Sequence, residues 1–456
     1  MSLEATLQEN KLLILDALSQ DDSETLESLL PDLRSADIAA ILSDIAEEDE
    51  DRQTVFSLLE SLSIERRANV FGYLSGDLQA ELADLMADDR LLVLLEEMSG
   101  DERADLFNVL DEDRREGLLR RMAHREREDL KRLASYEEGT AGAVMTSDYV
   151  AIPSGLTVSQ ALMRVRQTAP DAETVYQIYM IDDQGRLAGT MSLRQLIVAR
   201  PGARVDDLMI KDVIQLGVDA PQEEVARIVA HYDLLAVPVV DEEERLVGIV
   251  THDDAMDVVE AEATEDIHKG ASVGQLEGGV SRVRLWSLYR KRIVWLVLLV
   301  FGNLFSGAGI AYFEETIAAQ VALVFFLPLL IGSGGNAGAQ AATLTVRGMA
   351  TGDVGIRDWG KLMGRELLVA GALGLTMAIA VAPIGILRGG EMVALVVAMS
   401  MISIVLFGSL LGICLPFLLD RLGWDPATAS APLVTTIIDA CGVVIYFTIA
   451  TAMLSG

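Results

Sequence analysis

The chain has 456 residues, 69 of them acidic and 36 basic, for a net charge of −33, and 51% of its residues are hydrophobic. An acidic surplus of that size argues against nucleic-acid binding, which needs basic patches. It is compatible with cation binding, with a plain solubility surface and with a salt-adapted proteome. The first residues, MSLEATLQENKLL, lack a basic stretch followed by an apolar run and are not read as a secretory signal. The two cysteines, Cys414 and Cys441, lie in apolar sequence and suggest neither a disulfide framework nor a zinc site. His124 and His231 sit in helical, surface-like sequence.

Residues 1–135 read as an all-α domain, because apolar positions recur at three and four residues. The segments SADIAAILSDIAEED, SIERRANVFGYLSGD and SGDERADLFNVLDED share an N-cap-like Ser, acids in the first turn and an apolar stripe. Such a repeat predicts stacked helical hairpins in a small solenoid. Residues 136–258 change texture to an α/β pattern that occurs twice. YMIDDQGRLAGTMSLRQL, from Tyr179, aligns without gaps to PVVDEEERLVGIVTHDDA, from Pro238, pairing Asp182 with Asp241, Leu187 with Leu246 and Gly189 with Gly248. Each copy reads strand, turn, strand, helix. This resembles a tandem pair of CBS domains, a resemblance that implies adenine-nucleotide binding, with ATP as the candidate, or dimerisation. Thr251 and Asp254 stand where that family contacts a ribose; the first copy has Ser192 and Gln195 there and lacks the carboxylate. A nucleotide site and a nucleotide-free dimerisation module both remain open.

The stretch from Asp253 to Gly274 reads as one acidic helix, and residues 259–280 form the connecting, plug-like segment. Its Asp257, Glu260, Glu262, Glu265 and Asp266 are too many like charges to gain from pairing along the helix. They suggest either a solvated connector or a docking element held by cations. Five apolar segments follow within residues 281–456, near 293–312, 317–346, 364–387, 392–419 and 427–454. Each is long enough for a hydrocarbon core of about 30 Å, which takes about 20 helical residues. Their uninterrupted apolarity excludes a closed β-barrel.

Basic residues set the orientation. Arg282, Arg284, Arg290, Lys291 and Arg292 precede the first segment, Arg347, Arg357, Lys361 and Arg365 lie between the second and third, and Arg421 between the fourth and fifth. The opposite loops carry Glu314, Glu315 and Glu391 with only Arg388. The soluble part is therefore expected in the cytoplasm and the C-terminus outside, in an inner or plasma membrane where lipid surrounds the spans. Trp286, Trp295, Trp359 and Trp424 read as interfacial anchors.

Two stretches carry polar chemistry at membrane depth. In LPLLIGSGGNAGAQAATLTVRGMATGD, from Leu327, the glycines and alanines permit close helix packing, but that does not account for Asn336, Gln340, Thr343 and Thr345. Amides and hydroxyls in hydrocarbon need partners or water, so a wet, uncharged lining is expected. In PLVTTIIDACGVVIYF, from Pro432, Asp439 is the only acid deep in a predicted span. Ionised there, it costs about 2.5–3.5 kcal/mol even on a lenient scale, and no intramembrane Lys or Arg stands as its partner. A permeating cation would supply the missing charge. Mg²⁺ gives up its waters reluctantly, and a few carboxylates, amides and carbonyls hold it through its hydration shell. The absence of a His, Cys or Met cluster disfavours soft metals.

The order helical N-domain, CBS pair, acidic helix and five spans resembles the MgtE family of Mg²⁺ channels and transporters. PLLIGSGGNAGAQAATLTVRG and PLVTTIIDACG, which ends at Gly442, are similar to its two signature regions. The resemblance implies a homodimer whose central pore is lined by the second and fifth spans, with Asp439 at the ion-selective site and Thr343 lining the pore. Ala339 departs from it: the family more often has Asn there, which bears on how the ion's water shell is held. It also implies gating, in which internal Mg²⁺ bridges acidic faces of the N-domain, CBS pair and acidic helix, with Asp253, Asp254, Asp257, Glu260, Glu262, Glu265 and Asp266 as candidate ligands. No nucleophile–base pair and no ATPase motif is visible, so the expectation is a passive channel and not an enzyme. The alternatives are a Na⁺- or H⁺-coupled carrier, a Co²⁺ or Mn²⁺ route, and a membrane-anchored nucleotide sensor.

Overall fold

Helices of nine or ten residues are too short to be stable alone, so the N-terminal region must derive its stability from stacking. In a computed structural model of the chain, residues 3–19, 25, 29–30, 33–48, 52–274 and 285–454 are described. Helices α1 (Leu3–Ser19) and α2 (Ser35–Glu48) are followed by seven short ones. These are α3 (Arg52–Ser61), α4 (Ile64–Gly72), α5 (Gly76–Leu85), α6 (Asp88–Glu97), α7 (Gly100–Val109), α8 (Glu112–Arg121) and α9 (His124–Leu133). Each starts twelve residues after the one before. Helices α2, α3, α4, α5 and α7 each pack on the helix two further along. One continuous core results, running through Ile38, Leu42, Leu59, Phe71, Leu82 and Leu94. Ser63, Ser75 and Ser99 occupy N-cap positions as expected, but none caps with its side chain. The Ser99 hydroxyl serves the carboxyls of Asp101 and Glu102 instead.

The α/β region consists of two matching halves. The first holds β1 (Tyr149–Pro153), α10 (Val158–Thr168), β2 (Thr174–Ile181), β3 (Leu187–Ser192) and α11 (Leu193–Val198). The second holds β4 (Leu216–Gly217), α12 (Gln222–Tyr232), β5 (Ala236–Val240), β6 (Leu246–Thr251) and α13 (His252–Gly270). Each sheet has three strands in sequence order, the first pair parallel and the second antiparallel. The aligned glycines do the same work in both. A side chain at Gly189 would strike Met209 and the Ile210 carbonyl, and one at Gly248 would strike Met145 and the Thr146 carbonyl. Helix α9 fastens to the second half: Arg132 donates to the Val247 carbonyl at 2.9 Å, and the Ser147 hydroxyl to Asp129 at 2.7 Å.

The chain divides into two units, residues 1–260 and 261–456, with the division inside α13. That helix ends at Gly270, earlier than the expected Gly274. Ser272 adopts φ 57°, and the Val273 N–H returns to the His268 carbonyl, a left-handed termination that stops the helix. Arg282, Arg284 and the 280/281 boundary fall outside the described residues.

The second unit holds α14 (Leu285–Tyr312), the short α15 (Glu314–Ala319), α16 (Ala322–Ala350), α17 (Trp359–Arg421) and α18 (Ala431–Leu454). Among the described residues, four helices are long and apolar enough to cross a membrane. The segment expected at 317–346 starts later, at Ala322, because Gln320 leaves helical geometry. The 63 residues of α17 would reach about 95 Å if straight. They are not straight: Gly390 has φ 81° and ψ −178°. A Cβ at Gly374 would lie 2.9 Å from Ile402 Cα, and one at Gly385 2.7 Å from Ala394 Cα, so the two arms fold onto each other.

Helices α16 and α17 meet backbone to backbone. A Cβ at Gly408 would overlap the Gly334 carbonyl oxygen, and one at Gly412 the Gly338 carbonyl oxygen. Small residues four apart on facing helices permit this approach. Replacing Gly408 by Ala is expected to destabilise the protein by about 1–3 kcal/mol, read as a lower thermal unfolding temperature in detergent. Gly371→Ala, where nothing lies within 4 Å, should show no such loss.

Candidate functional site

The face of α16 opposite those glycines remains uncovered. Gly332, Asn336, Gln340, Thr343 and Arg347 are exposed and Ala339 is half-buried, while Gly334, Gly335, Ala337, Gly338, Ala341 and Ala342 are buried. The spacing of four, four and three places the exposed polar residues in one row. Among the described residues, no hydrogen bond occupies the Asn336 or Gln340 amide. The hydroxyl of Thr343 donates back to the Ala339 carbonyl at 2.9 Å, leaving its oxygen free to accept, and Thr345 is buried with its own return bond to Ala341.

Asp439 is half-buried on α18. Thr435 packs on Gly335, Ile438 on Gly334, Gly338 and Gly408, and Gly442 on Ile331 and Ile404. The two helices thus run antiparallel, with Asp439 level with the turn at 331–335. Gln340 and Thr343 lie one to two turns toward the Arg347 end. Gly442 is buried and offers no side-chain ligand. Among the described residues no side chain donates to the Asp439 carboxylate; its main-chain carbonyl accepts from Ser306.

The seven acids expected on the connecting helix do not converge. Among the described residues, no three carboxylate, His or Cys side chains stand close enough to ligate one metal directly. Asp253, Asp257 and Glu260 are exposed along α13, and Glu262 is half-buried. Glu265 pairs with Lys269, whose ammonium also reaches Asp425 at 2.5 Å. Burial disfavours the Lys269 charge, but the bonds to Asp425 and Glu265 prevail and hold its pKa above the ordinary lysine value. Burial, aided by the Asp425 charge, raises the Asp266 carboxyl.

Asp254 turns inward, where sequence reasoning had no other member to offer. Burial and the nearby Asp101 charge push it up to about 7. Burial pushes Glu102 up to about 7, again with Asp101 adding to it, and Asp105 up to about 6. Glu173 rises to about 8, from burial and then from the charges of Asp101 and Asp254. Asp101 is itself raised by burial, and its Oδ1 is buried without a hydrogen-bond partner. These acids come from α7, the loop before β2 and α13. The only local hint was the acid-rich first turn of SGDERAD, which resembled an ordinary helix start. Thr251 and Asp254, the expected ribose contacts, bond to each other: the Thr251 N–H donates to Asp254 at 3.3 Å, and the Thr251 hydroxyl donates to both Asp253 and Asp254. Ser192 and Gln195 form the corresponding box in the first half.

A paired α/β module, a buried acid cluster and a bundle of long apolar helices that exposes amides on one helix and holds an acid on its neighbour fit the class of membrane transport proteins. Residues 327–449 match the MgtE family, described as divalent cation transporters; residues 33–139 match the MgtE intracellular N domain, and 141–202 and 205–261 the CBS domain. The chain is 46% identical over 325 residues to the magnesium transporter MgtE of Thermus thermophilus, covering 71% of this chain and 72% of that one. It is 33% identical over 450 residues to the magnesium transporter MgtE of Bacillus subtilis, covering 98% of each. Among solved structures, the cytosolic domain of the Mg²⁺ channel MgtE in complex with ATP is similar at a TM-score of 0.51 and 39% identity, over 54% of this chain and 99% of that one. The chain belongs to the MgtE family.

The acid cluster has a pH signature. Its folded carboxyls hold protons that the unfolded chain, with ordinary values near 4, has already released. Stability must therefore fall as pH rises from about 5 to about 8. The thermal unfolding temperature of the protein, read on the unit of residues 1–260, is expected to drop across that range.

Proposed function

We propose that the chain is a Mg²⁺ channel of the cell membrane, a homodimer that takes up Mg²⁺ and closes when internal Mg²⁺ fills its acidic cytosolic surfaces. One observation carries this: the polar row of α16 is left uncovered by the chain's own helices, with the uncompensated Asp439 at the level of its first turn on the neighbouring helix. Amides and a carboxylate facing lipid are too costly to persist. A second subunit would turn the row into a water-filled path, where two copies of Asp439 and the amides of Asn336 and Gln340 hold a hydrated divalent ion. The high identity to magnesium transporters favours Mg²⁺ as that ion. Ala339 contributes no polar atom, so the water shell rests on its neighbours.

The reading takes α17 as two spans hinged at Gly390, giving five in all. It puts residues 1–280 in the cytoplasm and the C-terminus outside. It divides the chain into an N-domain (1–135), a CBS pair (136–258), a connecting helix (259–280) and a pore domain (281–456). The chain acts as a conduit and not as an enzyme. ATP, as in the related cytosolic domain, would engage the second CBS half by displacing the Thr251–Asp254 contact.

The gate works by charge. The acids of α7, Glu173 and α13 repel one another when ionised, and a divalent cation among them neutralises the repulsion through its water shell. The unpartnered Asp101 oxygen supports this placement. Since α13 runs from that cluster into the pore unit, it is the covalent route by which occupancy biases the bundle.

Reconstituted into vesicles, Asp439→Asn is expected to lower Mg²⁺ flux roughly tenfold or more, the effect of about 1.4 kcal/mol, with assembly intact by size-exclusion chromatography. Unchanged flux would overturn the pore assignment. The pair Asp101→Asn and Asp254→Asn should leave the channel conducting at high internal Mg²⁺. Normal closure in that variant would remove the cluster from the gate.

A further inference from the structure

Several hydroxyls in the long apolar helices bond back to their own helix: Ser333 to Leu329, Thr343 to Ala339, Thr376 to Ala372, and Thr435 and Thr436 to Pro432. Ser306 crosses instead. From α14 it donates to the main-chain carbonyl of Asp439, 3.1 Å away. The surrounding packing makes the crossing possible. A Cβ at Gly302 would lie 2.6 Å from Thr436 Cγ2, and one at Gly309 would lie 3.0 Å from Val443 Cγ1. Gly302, Ser306 and Gly309 are four and three apart, hence on one face of α14, while their neighbours Leu304 and Phe305 are exposed.

We propose that Ser306 is a positioning residue for the ion site. This rests on Asp439 serving as the pore carboxylate. Successive residues of a helix are about 100° apart, so a modest roll of α18 would swing the Asp439 carboxylate away from the row on α16. Two contacts oppose that roll at the same level. On one side Ile438 is clasped among Gly334, Gly338 and Gly408. On the other, the Ser306 hydroxyl holds the Asp439 carbonyl, a bond that only one orientation of α18 satisfies. The first helix, which lines no polar row of its own, thereby sets the direction of the charge that meets the ion.

The test compares wild type, Ser306→Ala, Ser306→Thr and Asp439→Asn in reconstituted vesicles, measuring Mg²⁺ flux against Mg²⁺ concentration and Co²⁺ flux in parallel. Ser306→Ala is expected to raise the half-saturating Mg²⁺ roughly threefold, the scale of one interhelical hydrogen bond in a membrane. It should also lower the Mg²⁺-to-Co²⁺ ratio, with maximal flux and thermal stability nearly retained. Ser306→Thr, which keeps the donor, should restore both. If Ser306→Ala fails to assemble, Gly302→Ala serves: its added methyl pushes α14 off Thr436 with the serine intact, and the same shift is expected. Half-saturation unchanged in Ser306→Ala, or shifted equally in Ser306→Thr, overturns the positioning role while an impaired Asp439→Asn leaves the pore assignment standing. Equal flux in wild type and Asp439→Asn overturns both.

Discussion

Backbone-to-backbone contact between α16 and α17 is the constraint from which the membrane unit follows. Four glycines, Gly334 and Gly338 facing Gly408 and Gly412, bring the two helices closer than any side chain would allow. In lipid there is no hydrophobic drive to pack apolar helices, so association depends on such fit. Committing the small face of α16 to α17 turns its opposite face, with Asn336, Gln340 and Thr343, outward. It also forms the pocket that holds Ile438, and through it the adjacent Asp439. The glycines and the polar residues of this stretch therefore divide one helix between them: one face grips its neighbour, the other stays exposed.

The acids of the first unit obey a different rule. An isolated surface carboxylate gains little from a distant cation, because water screens it. Burial removes that screening and makes each charge of Asp101, Glu102, Glu173 and Asp254 felt by the others. Proton and divalent cation are then alternative answers to one electrostatic problem.

Much of this was legible in the sequence, for identifiable reasons. The CBS halves were readable because Gly189 and Gly248 fall at equivalent points of a period-two pattern and face the same steric demand. The exposed polar row of α16 was readable as unusual because amides in an apolar run stand out against the small residues that pack. The acid cluster was not: its members lie far apart in the chain, and each looks like a solvated helix start until the fold excludes water from it. Ser306 was equally silent, since a serine in a membrane helix usually bonds to its own backbone. The end of α13 was misjudged because Ser272, with nothing in its identity to advertise it, adopts a left-handed conformation.

The twelve-residue spacing of α3 to α9 has a consequence of its own. When nearly every helix leans on the next but one, the array has no closed centre and behaves like a coil of equal links. An evolutionary gain or loss of one whole link would preserve every stacking interface and merely move the coil's tip along its path. A change of half a link would turn greasy faces to water along the remainder. Lineages of this architecture thus have a ready means of altering the reach of their cytosolic arm in discrete steps while leaving the membrane portion untouched.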